Sequence, residues 1–157
     1  MKIIAIDPGS TESAYVQWNG IAIYDKGILN NPTLLKYLRQ TPLYYTLVIE
    51  QIRSYGMAVG ATVFDTVFWT GRFCEAFDNQ GGKFYQVPRL QIKQHLCHDS
   101  RAKDSNIIQA LVDRFAYGQK NRGKGTKKDN GFFYGFKADI WQAFALAVMW
   151  VDQNCAQ

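Results

Sequence analysis

Cysteine and histidine are scarce in this chain, and their scarcity narrows its chemistry. Only three cysteines occur in 157 residues, Cys74, Cys97 and Cys155, with no CxxC spacing. That excludes a fully paired disulfide framework and thiolate metal clusters, and it fits a reduced, cytoplasmic setting. The two histidines, His95 and His98, stand beside Cys97 and Asp99 in a spacing that matches no zinc pattern, so they read as structural or surface residues. Long apolar runs are missing too. The longest, Ala143 to Val151, is far short of the ~20 residues a membrane helix needs. Met1 leads directly into KIIAI, without a signal-peptide pattern.

What is present is enough apolar material for one core. Hydrophobic residues make up 47% of the chain and aromatics 15%, which excludes disorder as the main state. Neither an internal repeat nor a long linker divides residues 1–157, so a single domain is expected. The net charge is +5, but it is uneven. Between Arg89 and Lys128 ten Lys or Arg face only three Asp, and the remainder is slightly negative. A polyanion-binding face drawn from that stretch follows from the asymmetry.

The order of elements predicts an α/β fold. Lys2 to Ile6 reads as a buried strand ended by Asp7-Pro8-Gly9-Ser10. Ala14 to Trp18, Asn19-Gly20 and Ile21 to Tyr24 read as a hairpin. A helix starts at Asn31-Pro32-Thr33, with Leu34, Leu35 and Leu38 on one face, and Leu47-Val48-Ile49 is a strand ending at Glu50. A helix from about Met57 to Phe77 carries Val63, Val67, Phe68 and Phe73. Phe84 to Val87 is a fifth strand, and Ser105 or Asp104 caps a helix through Phe115. Gly118 to Gly135, rich in Gly and Lys, reads as an irregular mobile loop before a last helix from about Ala138 to Val151. Three antiparallel strands followed by helix–strand alternation give a five-stranded mixed sheet flanked by helices, with the later strands parallel.

Asp7 and Glu50 each end an apolar strand, and Asp139 opens the final helix. In an open α/β sheet, the carboxyl ends of the strands border the functional crevice. A carboxylate following a buried run needs something to offset its desolvation. If the three converge they form an all-oxygen cage suited to Mg²⁺ or Mn²⁺ rather than zinc. A pair of such ions about 4 Å apart activates water and stabilises the leaving oxygen of a phosphodiester. Singly, each has an ordinary structural role: an Asx turn, a surface strand end, a helix cap. Phe132, Phe133, Tyr134 and Phe136 either stack on unpaired bases or anchor their loop on the core.

IAIDPGST at Ile4 to Thr11 resembles the opening of RuvC-type Holliday junction resolvases, members of the RNase H-like superfamily. LVIEQIRSYGMAVGATVFDTVFWTGRF is similar to their second block, VPRLQIKQHLCHDSRAKDSNIIQALVDRF to the third and KADIWQAFALAVM to the fourth. The four blocks run in the family's order from Ile4 to Met149. The resemblance implies an RNase H-like fold and a metal-dependent endodeoxyribonuclease of DNA recombination and repair, acting on four-way junctions and other branched DNA. It implies Asp7, Glu50 and Asp139 as metal-binding catalytic residues and Lys93 near the scissile phosphate. Two departures stand out. Gln142 occupies a position where many relatives have a second Asp, and Lys103-Asp104 inverts the usual acid-then-lysine order; phage-type members are the nearer match.

A Gln carbonyl can still ligate Mg²⁺ or hold a metal-bound water, so Gln142 joins the expected metal set. Arg89, Lys93, Arg101, Lys103, Lys120, Arg122, Lys124, Lys127, Lys128 and Lys137 are the expected DNA contacts. Cutting both strands of a symmetric junction implies a homodimer, with the Met57 to Phe77 helix and its Phe64, Phe68 and Trp69 as interface. Ser54 and Tyr55 fall where the family places residues near the branch point. Other readings are an RNase H-like nuclease of RNA–DNA hybrids or ribosomal RNA, a non-catalytic branched-DNA binder, and an actin-like sugar kinase or ATPase. The last needs two lobes, and this chain has room for one.

Overall fold

The computed structural model of the protein describes residues 1–155. Its elements are β1 (Lys2–Asp7), β2 (Glu12–Trp18), β3 (Ile23–Asn30), α1 (Asn31–Gln40), β4 (Tyr45–Gln51), α2 (Ala61–Asp78), β5 (Lys83–Pro88), α3 (Arg89–Cys97), α4 (Asp104–Phe115) and α5 (Ile140–Cys155), with a 3₁₀ turn at Lys120–Gly123. One sheet has the order β3-β2-β1-β4-β5. β1, β2 and β3 pair antiparallel, while β4 runs parallel to β1 and β5 parallel to β4. This is the mixed sheet expected from the chain order.

Strand alternation sends successive side chains to opposite faces, and each face has its own core. Ile3, Ala5, Val16, Trp18, Val48 and Val87 meet α3, α4 and α5 on one side. Ile4, Ile6, Tyr15, Leu47 and Ile49 meet Leu34, Leu35 and Leu38 of α1 and Phe73 and Phe77 of α2 on the other. α5 is buried continuously from Ile140 to Met149, as a helix apolar all round must be. No helix among the described residues is long and apolar enough to cross a membrane.

Several boundaries depart from expectation for local reasons. The β2–β3 turn is wider than a two-residue Asn-Gly loop, because Asn19 Oδ1 accepts from both Ile21 N–H (2.9 Å) and Ala22 N–H (2.7 Å). α2 starts at Ala61 rather than near Met57; Tyr55 and Gly56, at positive φ, form a turn instead. α4 is capped by neither Ser105 nor Asp104. Lys103 is its N-cap, with Asn106 Oδ1 accepting from the Lys103 N–H at 2.9 Å. α5 starts at Ile140, not Ala138, whose φ of 41° is left-handed.

The Gly118–Gly135 segment is irregular as expected, apart from the 3₁₀ turn at Lys120–Gly123, but it is anchored on the core rather than loose. Phe133 and Phe136 are fully buried in the α5-side core, packing edge-on against Phe144, and Phe133 N–H donates to Gly123 O at 2.7 Å. Gly123, at φ 82°, leaves no room for a side chain: a Cβ would lie 2.4 Å from Ala116 Cβ. Of the two readings of the aromatic set, Phe133 and Phe136 take the anchoring one.

Candidate active site

Three chain segments reach one end of the sheet together. The β1–β4 register pairs Ile6 with Ile49, so Asp7 and Glu50 lie one step further along adjacent parallel strands. By alternation both project toward the face covered by α5. β4 and β5 pair Glu50 with Val87 and Gln51 with Pro88, which brings Arg89 in at the start of α3. From the helical side, α5 supplies Gln142 in its first turn, with Asp139 just ahead of it. The left-handed Ala138 places Asp139 there, and its backbone oxygen accepts from the N–H groups of Gln142 and Ala143, both at 3.0 Å.

These residues line a cleft of about 400 Å³, together with Pro8, Ile52, Asp104 and Val63 and Thr66 of α2. A larger hollow of about 520 Å³ lies in the Gly118–Phe132 loop, but Asp129 is its only acidic wall residue. We assign the site on chemistry rather than size. The turn after Asp7 is held by a buried polar relay. Gly9 N–H donates to Ser13 Oγ (3.0 Å), Ser13 O–H to Asn31 Oδ1 (2.6 Å), and Asn31 Nδ2 to Gly9 O (2.9 Å). A Cβ on Gly9 would meet Glu12 O at 2.2 Å, so the tight turn requires glycine.

The electrostatics are strained in one direction. Burial, then the charges of Glu50 and Asp139, push the Asp7 carboxyl up to about 8 against the opposing pull of Arg89. Burial also raises Glu50, although Arg89 counteracts it. The Arg89 guanidinium donates to Glu50 Oε2 at 3.0 Å, to Gln142 Oε1 at 3.0 Å and to Asp104 Oδ1 at 2.5 Å. Burial disfavours that charge, yet Glu50 and Asp104 outweigh it and hold the guanidinium above its ordinary range. An oxygen-only donor set with unrelieved repulsion at Asp7 suits a hard divalent cation. Asp7, Glu50, Asp139 and the Gln142 carbonyl fit such an ion, although among the described residues no three acidic, His or Cys side chains are already drawn together around one point. Arg89 is the cation that Glu50 and Gln142 meet here.

Asp7, Glu50, Asp139, Gln142 and Arg89, all expected from the sequence, converge. Lys93 does not line the cleft; it sits one turn beyond Arg89 on α3, near Cys97. Arg101, Lys103, Lys120, Arg122, Lys127, Lys128 and Lys137 are exposed and Lys124 is half-buried, all outside the cleft. Asp104 is the residue that sequence reasoning missed. Its position in a first helical turn suits any acidic residue, and it is tied to the site by its place in the cleft wall and its bond to Arg89, fifteen residues back. His95 binds Asp152 at 2.7 Å, and Arg114 grips the same carboxylate, the structural role expected for it.

Neither a family model nor a curated relative matches the sequence. Among solved structures, RuvC of Thermus thermophilus is similar over 95% of this chain and 92% of its own, with a TM-score of 0.63 at 16% identity. The T. thermophilus RuvC in complex with a Holliday junction substrate is similar over 95% and 91%, with a TM-score of 0.60 at 14% identity. The resemblance read in the four sequence blocks is thus matched by the fold. With its β3-β2-β1-β4-β5 sheet and flanking helices, the chain has the RuvC-type, RNase H-like fold.

Proposed function

We propose that the protein is a divalent-metal-dependent endonuclease that cleaves phosphodiester bonds in four-way junctions and other branched DNA, acting as a homodimer in recombination and repair. The observation that carries this reading is that Asp7 and Glu50, at the ends of β1 and β4, and Asp139, just ahead of α5, line one cleft of a basic, RuvC-like fold. Asp7, Glu50, Asp139 and Gln142 are the residues to hold Mg²⁺, or Mn²⁺ in its place. Two such ions supply an activated water and stabilise the leaving oxygen. The relay through Ser13 and Asn31 keeps Asp7 in place, and Arg89 orients Glu50 and counteracts the burial that raises its carboxyl. Arg89, Lys93, Arg101, Lys103 and Lys137, with Lys120, Arg122, Lys124, Lys127 and Lys128 of the anchored loop, are the cations this reading assigns to the DNA backbone.

The dimer reading rests on α2. Phe64 (66% exposed), Val67 and Phe68 (62%) form an apolar patch on its N-terminal half. Trp69, expected with them, is half-buried instead, lying 5.9 Å from Phe73 with Arg72 over its ring. Ser54 and Tyr55, in the exposed segment between Glu50 and this helix, are the residues this reading assigns to the branch point. A panel of labelled substrates in Mg²⁺ tests the reading: four-way junction, flap, linear duplex and RNA–DNA hybrid. Cleavage of the branched DNAs over the duplex is expected. Preference for the hybrid would assign the RNase H-like alternative, and tight junction binding without cleavage would assign a binding protein.

A further inference from the structure

The expected divalent ion and the Arg89 guanidinium call on the same oxygens. One nitrogen of Arg89 donates to Glu50 Oε2 and the other to both Gln142 Oε1 and Asp104 Oδ1. Glu50 and Gln142 are buried donors of the cleft, with 8% of the Glu50 side chain exposed, whereas 62% of the Asp104 side chain is exposed at the cleft rim. The guanidinium is planar, permanently charged and fork-shaped, so it bridges separate acceptors as a lysine ammonium cannot. A positive group inside the cleft repels an incoming cation while occupying lone pairs the cation needs. The Asp104 bond offers a way out, because an arginine swung toward the rim keeps a carboxylate partner while releasing Glu50 and Gln142.

We propose that Arg89 is an internal competitor for the divalent cation, and that Asp104 acts as the rim anchor that draws the guanidinium aside when the ion enters. Arg89 is then a positioning residue. It holds the oxygen donors together in the ion-free cleft, and the Arg89–Asp104 pair sets the cation concentration at which the cleft fills. The proposal rests on the metal-dependent reading of the site but not on any nucleic-acid substrate.

The test is Mn²⁺ and Mg²⁺ binding to the full chain without DNA, by free-Mn²⁺ EPR and calorimetry, with near-UV circular dichroism to check folding. Arg89→Gln is expected to lower the half-saturating ion concentration at least about tenfold. Arg89→Lys, which keeps one charge but loses the bridge, should fall between that variant and wild type. Asp104→Asn should weaken binding, and most of that deficit should be absent between Arg89→Gln and the double variant Arg89→Gln/Asp104→Asn, which leaves only the small loss of the exposed rim carboxylate's own charge. Binding by both Arg89 variants no tighter than wild type overturns the competition. A deficit of Asp104→Asn that persists undiminished in the double variant overturns the anchor and makes Asp104 a ligand. If neither wild type nor Arg89→Gln takes up either ion at millimolar concentration, both this inference and the metal-dependent reading fall. If wild type binds and only the variant pattern fails, the nuclease reading stands.

Discussion

Asp7 and Glu50 occupy neighbouring positions on adjacent parallel strands, one register step past the Ile6–Ile49 pair, with both side chains on the α5 face of the sheet. Two carboxylates so placed cannot both ionise without cost. The cost falls on Asp7, whose carboxyl rises to about 8, first through burial and then through Glu50 and Asp139.

That shift has a stability consequence with a definite sign. Between about pH 4 and pH 8 the folded chain keeps a proton on Asp7 that the unfolded chain has released, so stability falls as pH rises through this window. Asp7→Asn removes the ionisation. In EDTA the variant should match wild type near pH 4 and be more stable at pH 8, by roughly 1–3 kcal/mol after allowance for coupling to Glu50, at about 1.4 kcal/mol per pKa unit. Adding Mg²⁺ should stabilise wild type more than the variant. Urea unfolding at the two pH values checks this, and a variant less stable at both would make Asp7 a structural hydrogen-bonding residue.

Gln142 is buried and accepts from Arg89. It contributes an oxygen to the cleft but no charge. Gln142→Ala is therefore expected to slow single-turnover junction cleavage about tenfold, in the range of a lost supporting ligand, and by less than Asp139→Asn. Gln142→Asp should retain Mg²⁺- or Mn²⁺-dependent cleavage. A wild-type rate and metal dependence in Gln142→Ala would remove the residue from the site.

The anchored loop carries Lys120, Arg122, Lys124, Lys127 and Lys128, and Phe133 and Phe136 seat it on the core. Each phosphate contact contributes about −0.9 to the slope of log affinity against log salt. Changing the five cations to Gln should flatten that slope by several units and weaken binding to every DNA form. An unchanged slope would place the DNA elsewhere.

Phe64 and Phe68 project from the first half of α2 into solvent, so charging them should not disturb the cores. Phe64→Glu/Phe68→Glu is expected to convert a dimer into a folded monomer in analytical ultracentrifugation. Unchanged mass would move the interface, or the oligomeric state, away from α2.

The strand ends were the legible part of the site. Ile3 to Ile6 and Leu47 to Ile49 are apolar enough to be strands from local pattern alone, and a carboxylate directly after each is conspicuous against burial cost. Asp104 was not legible in that way. Its partnership with Arg89 depends on the turn between α3 and α4, where His98 adopts φ 55° and ends α3, and no sequence period encodes that. The Gly118–Gly135 loop misled in the opposite sense. Its glycines serve close packing around Phe133 and Ala116, and glycine content alone does not separate tight turns from mobility. Phe64 and Phe68 are spaced four apart, as Phe73 and Phe77 are, but on the opposite face of α2, so the spacing marked the helix without saying which pair is buried.

The most direct test of the nuclease assignment is single-turnover cleavage of a fixed four-way junction by wild type and Asp139→Asn, each with Mg²⁺ and with EDTA. Asp139 is exposed at the cleft mouth, so its isosteric replacement should leave folding and junction binding intact. Mg²⁺-dependent cleavage by wild type and at least about a hundredfold loss in the variant are expected, since a charged metal ligand is removed from the site. Cleavage by wild type in EDTA, or undiminished cleavage by Asp139→Asn, would contradict the assignment.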